Sequence, residues 1–105
     1  MAEKKFKVVF KPKADRRILA IMMYIAEQGN PERAVTFSNE LYEFGYSLAT
    51  VPFGYPVCRH PQLAKRKMRC ATFRKTYIFI YKPIRHTIVI YNIIHGSKNP
   101  IRFSA

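Results

Sequence analysis

Carboxylates are missing from more than half of this chain. All six (Glu3, Asp15, Glu27, Glu32, Glu40, Glu43) fall in the first 43 residues, and from Phe44 to Ala105 there are eleven Lys or Arg and no acid. The net charge of +13 is therefore one-sided. A field of that kind attracts polyanions in a salt-dependent way: RNA, DNA, a ribosome surface or an acidic protein tail. No paired-carboxylate catalyst is expected. Cysteine is scarce too. Cys58 and Cys70 do not make a disulfide framework, and no secretory pattern is seen, so both are expected as free thiols in a reducing cytoplasm. Cys58, His60 and Cys70 lack a fourth ligand for zinc, and four scattered glycines cannot build a phosphate loop, so no metal and no cofactor are expected. No apolar run approaches the roughly 18 residues of a membrane span. No membrane partner is expected.

Apolar material is plentiful: 49% of the residues are hydrophobic and 14% aromatic, enough for one core. At this length the chain is expected to form a single domain over residues 1–105. Phe6, Val8 and Phe10 alternate with lysines as in an edge strand, which Pro12 ends. From Lys13 to Gln28 the period changes, with Ala14, Ile18, Ile21, Met22 and Ile25 on one helical stripe. Gly29 stops that helix. Asn30 then caps a second, with Pro31 at its first position and Ala34, Phe37, Leu41, Phe44 and Leu48 on its seam. The two residues between them predict a helical hairpin. Gly45 inside the second helix implies either a close approach or fraying. Prolines mark Val51–Gln62 as irregular, and three strands are predicted over Lys65–Phe73, Thr76–Lys82 and Thr87–His95. The fold class is α+β: an antiparallel sheet with an N-terminal strand and a two-helix hairpin on one face, in the order β-α-α-β-β-β.

That order resembles the RelE/ParE toxins of type II toxin–antitoxin systems. Ala14-Asp15-Arg16-Arg17-Ile18 with Ile21 and Tyr24-Ile25-Ala26 is similar to the family's first helix, and Pro31, Ala34, Phe37 and Leu41 to its second. Arg69, Tyr77–Tyr81, Ile88–Ile90 and Ile93-Ile94-His95-Gly96-Ser97-Lys98-Asn99-Pro100 resemble the sheet of the ParE-like branch. The resemblance spans about residues 6 to 100. It implies a cytoplasmic toxin with a cognate acidic antitoxin as partner, docked on exposed rings such as Tyr42, Tyr46, Phe53 and Tyr55. It also implies one of two targets: the ribosome with its mRNA, or DNA gyrase.

Several residues carry candidate chemistry. Lys65, Lys67 and Arg69 stand at i, i+2 and i+4, so a strand would project all three from one face, about 6.6 Å apart, with Met68 and Cys70 turned toward the helices. Such a column grips phosphates, and Arg69 is the candidate for stabilising charge in phosphodiester cleavage. Arg74 and Lys75, at the following turn, are candidate phosphate contacts, and Lys98 is a candidate target contact. His95 ends the last strand and is the candidate proton carrier; by strict alternation it shares a face with Val89, Tyr91 and Ile93. Tyr77 and Tyr91 are candidates to stack a base.

Three readings follow. One is a metal-independent endoribonuclease acting on ribosome-bound message. The second is a gyrase inhibitor without an active site, for which the helical hairpin and the tail from Gly96 matter most. The third is a basic RNA- or ribosome-binding protein with no toxicity. The cation cluster favours the first and the local match near His95 the second.

Overall fold

The computed structural model describes residues 6–96. Strand β1 covers Lys7–Phe10, with its lysine outward and Val8 and Phe10 half-buried, as the alternation predicts. Helix α1 spans Pro12–Glu27 and buries Ala14, Ile18 and Ile21. Helix α2 spans Pro31–Ser47, and the Asn30 side chain accepts a hydrogen bond from the Arg33 N–H at 3.1 Å, which caps it as expected. A 3-10 turn, Leu48–Thr50, extends α2 into the proline-rich segment. The sheet is completed by β2 (Arg69–Phe73), β3 (Tyr77–Ile84) and β4 (Thr87–His95).

Strand order is β1-β4-β3-β2, with β2, β3 and β4 an antiparallel meander and β1 parallel to β4 at the edge. The helical hairpin lies on one face. Ile18, Leu41, Phe79, Tyr81, Ile88, Ile90 and Ile93 meet there in the main core. Between Ile80 and Tyr81 the β3–β4 register shifts, so that Ile80 pairs with Asn92 but Tyr81 with Ile90. Tyr91 is the extra residue. This bulge reverses the alternation of β4 on either side of it.

The structure overturns three expectations in this region. The strand predicted over Lys65–Phe73 begins only at Arg69, because Pro61–Lys65 forms a short helix, α3. Pro61 at its first position and the His60 ring nitrogen, which accepts from the Gln62 N–H at 3.3 Å, start it. It ends in a left-handed Lys67 (φ 61°), with hydrogen bonds from the Lys67 N–H to the Ala64 carbonyl and from the Met68 N–H to the Leu63 carbonyl, both 2.9 Å. Lys65, Lys67 and Arg69 therefore do not form one column. Nor are the cysteines free: Cys58 and Cys70 are joined by a disulfide. It ties the segment carrying α3 to β2. That segment covers a second apolar cluster of Cys58, Met68, Ile80 and Ile94 on the sheet face opposite the hairpin. Met68 and Cys70 thus turn away from the helices, the reverse of the expected orientation. Among the described residues, no helix is long and apolar enough to cross a membrane.

Gly45 is explained by close approach. A Cβ there would meet the Phe10 ring, and would lie 2.9 Å from Ile90 Cδ1. The Phe10 ring cannot easily retreat, being held edge-on against Tyr42 and Tyr46 at 4.8 and 5.4 Å. Gly45→Ala should gain about 1 kcal/mol of helix propensity but lose about 1–3 kcal/mol to overpacking. The expected result is a lower thermal midpoint; a higher one would show that the β1–α2 contact yields freely.

Tyr42 also joins the helices, its hydroxyl donating to Asp15 Oδ1 at 2.8 Å. Burial, then the hydrogen bond and charge of Asp15, push the Tyr42 phenol from 10.0 up to about 12. The folded state holds this proton more tightly than the unfolded chain. Its contribution to stability is complete below pH 10 and disappears as pH rises toward about 12. Urea midpoints measured across that window should fall less steeply in Tyr42→Phe than in the parent; equal slopes would contradict the bridge.

Candidate functional site

The end of the sheet nearest the C-terminal strand end brings together two of the predicted residues. Tyr77 and His95 are register partners on β3 and β4, and their rings meet edge to face at 5.4 Å. Both sit on the helix face, which the bulge makes possible for His95. Arg17 and Tyr24, seven residues apart and so on one side of α1, close the other wall. With Ala20 and Ile21 these residues line a cavity of about 480 Å³. Arg17 is fixed from behind, its Nε donating to the Ile93 carbonyl at 2.9 Å, which leaves its terminal nitrogens as donors. Burial raises the Tyr77 phenol above its ordinary value, against the opposing pull of Arg17. A neutral phenol can donate. An imidazole, two phenols and a guanidinium around one cavity can hold an anion and relay a proton.

The other predicted residues lie elsewhere. Arg69 shares the helix face but stands at the opposite end of β2, paired with Tyr81. From there to the Phe73–Tyr77–His95 row is four residues of strand, about 13 Å. Its Nη1 donates to the Tyr55 carbonyl and its guanidinium lies 5.1 Å from the Phe53 ring. Arg74 and Lys75 form the β2–β3 turn, both left-handed (φ 54° and 60°). Arg74 pairs with Glu40 at 2.9 Å and lies over the Phe73 and Phe37 rings, so it packs the hairpin to the sheet. Lys75 is exposed at the turn, and Lys65 and Lys67 are exposed at the end of α3. Tyr91 faces the side away from the hairpin, beside Lys11 and Arg66. Lys98 lies outside the described residues.

Sequence reasoning missed Arg17 and Tyr24. The available signal was their position, since each borders the apolar stripe of Ile18, Ile21 and Ile25 and so overlooks the sheet edge. Of the rings suggested for docking, Phe53 and Tyr46 are more than half exposed (64% and 55%), while Tyr42 and Tyr55 are partly buried. Among the described residues, no group of three or more His, Cys, Asp or Glu is placed to hold a metal ion.

Arg17→Lys keeps the charge but loses the Nε–H donor. A loss on the order of 1 kcal/mol is expected in chemical denaturation. An unchanged midpoint would mean that the Arg17–Ile93 bond does not fix this wall.

Comparison with known proteins agrees with this architecture. No curated protein sequence is similar enough to count as a match. Among solved structures, the toxin–antitoxin complex RelBE2 of Mycobacterium tuberculosis contains a chain similar to this one. The TM-score is 0.61 at 24% identity, with 87% of this chain and 98% of that chain covered, a likeness of fold. The family model described as ParE toxin of type II toxin-antitoxin system, parDE, matches residues 8–100. A strand, a helical hairpin and a bulged three-stranded meander, matched from β1 to beyond β4, make this chain a member of the ParE toxin family, the toxin component of a type II toxin–antitoxin system.

Proposed function

We propose that this toxin arrests growth by binding DNA gyrase in the cytoplasm rather than by cutting message, and that a cognate acidic antitoxin neutralises it. The observation that carries the reading is the exposure of large apolar side chains on both helices of the hairpin. Leu19 and Met23, one turn apart on α1, and Val35 on α2 are each about half exposed. Large apolar side chains held outward on rigid helices suit a protein partner. The condition of the arginines supports it. Arg69 and Arg74 are engaged with Tyr55, Phe53 and Glu40, and Arg69 stands far from His95, so the expected catalytic pair does not converge. The acid-poor chain would draw an acidic antitoxin, with Phe53 and Tyr46 as exposed anchors.

A second reading, ribosome-dependent mRNA cleavage, has one observation in its favour: the cavity between Arg17, Tyr24, Tyr77 and His95. There Arg17 would hold the phosphate, while His95 and Tyr77 would handle protons.

Purified gyrase separates the two. The toxin is expected to inhibit supercoiling, Leu19→Asp with Met23→Asp to abolish that inhibition, and His95→Ala to leave it intact. Unimpeded supercoiling, together with new mRNA ends on translating ribosomes, would replace the first reading with the second.

A further inference from the structure

On the sheet face away from the hairpin lies a second cavity of about 270 Å³. Its floor is apolar, built from Leu63, Met68 and Ile80, with Met68 and Ile80 almost fully buried. Its rim is cationic: Lys13 from the start of α1 and Arg66 from the end of α3. Between them stands Tyr91, the bulge residue of β4, with Asn92 beside it. The Arg66 guanidinium lies 5.7 Å from the Tyr91 ring centre, and Lys11 Nζ lies 6.0 Å from it. Separate parts of the chain, β1's end, α1, α3 and β4, thus deliver three cations around one aromatic ring. The α3 wall is held in place by the Cys58 N–H donating to the Met68 carbonyl at 2.8 Å and the Cys70 N–H donating to the Pro56 carbonyl at 3.1 Å, bonds that hold whether or not the Cys58–Cys70 disulfide is reduced in the cytoplasm.

We propose that this cavity binds one nucleotide of a single-stranded nucleic acid, with its base against Tyr91 over the Met68–Ile80 floor and its flanking phosphates on Lys11, Lys13 and Arg66. The chemistry selects this ligand class. Cations alone would serve any polyanion, including an acidic peptide. An aromatic ring over an apolar floor adds a surface for a planar base, which carboxylates lack. A duplex keeps its base faces stacked inside and cannot present one to Tyr91. Asn92 accepts from the Ile93 N–H through Oδ1 at 2.8 Å, which leaves its amide nitrogen to donate to a base edge. The site is distinct from the cavity at His95 and stands whichever target the toxin poisons.

The test is fluorescence anisotropy with the full chain and labelled 12-nucleotide oligo-dT and oligo-rU, titrated over a range of salt. Binding of both oligonucleotides is expected, and the arm that binds tighter identifies DNA or RNA. Tyr91→Leu should weaken binding roughly tenfold or more with little change in salt dependence, while Tyr91→Phe should retain it. Replacing Lys11, Lys13 and Arg66 together by Gln should lower the slope of log K against log salt by about 2, at about 0.7 per phosphate contact. A chain that binds only through its diffuse charge would respond to the Gln variant but not to Tyr91→Leu. That result, equal affinity for a blunt duplex, or displacement of the oligonucleotide from the Tyr91 site by oligo-glutamate at equal charge concentration, would overturn the proposal. Thermal melting of each variant shows whether it is folded. If Tyr91→Leu melts early, Tyr91→Ile and Tyr91→Met supply the comparison.

Discussion

A single extra residue in β4 determines what each face of this sheet can do. Tyr91 has no partner of its own on β3, and the strand turns over at that point. Without the bulge, Ile88 and Ile90 could not share the main core with Ile93, since strict alternation would send one group outward. With it, both apolar groups pack under the hairpin, His95 is delivered to the helix side beside Tyr77, and Tyr91 to the opposite side beside Arg66. The two cavities therefore have a common origin. Bulges are tolerated where the buried area gained on both sides exceeds the cost of the disrupted ladder, and here both sides have a cluster to fill.

Charge is divided along the same lines. The acids that the hairpin carries are partly used in holding it down, Asp15 to Tyr42 and Glu40 to Arg74. These contacts join helix to helix and helix to turn, with the aromatic cluster of Phe37, Phe44, Phe73 and Phe79 packed beneath. The cations of the segment from Arg59 to Lys67 have no such acids in their own half of the chain and stay at the surface. Two of the arginines expected to bind phosphate, Arg69 and Arg74, also make contacts that hold the fold together. Arg69 secures the proline-rich segment, as does the Tyr81 hydroxyl, which donates to the Pro52 carbonyl at 3.0 Å.

Long periodic segments were legible in the sequence because their periodicity is the packing itself. The stripe of Ile18 and Ile21, the Asn30-Pro31 start of α2 and the Thr87–His95 strand all appear where the pattern puts them. The close approach at Gly45 was legible as one of two alternatives. Features set by single residues were not. A five-residue helix is too short for a period, and Lys67 ends it in a conformation that glycine would have announced. The disulfide was hidden because cysteine spacing says nothing of which strands approach. The bulge was hidden because β4 is apolar on both faces, so alternation could not reveal the reversal. Tyr77 and His95 are legible as single residues, but Arg17 and Tyr24, which complete their cavity, come from a helix whose rotation against the sheet the sequence does not state.

The reversal at Tyr91 can be observed directly from nuclear Overhauser contacts of its ring in solution. Contacts are expected from the Tyr91 ring to the Met68 methyl and the Ile80 side chain, together with contacts between the Tyr77 and His95 rings. A Tyr91 ring in contact instead with Ile18 or Leu41, under the hairpin, would place β4 in unbroken alternation and contradict the assignment of both faces.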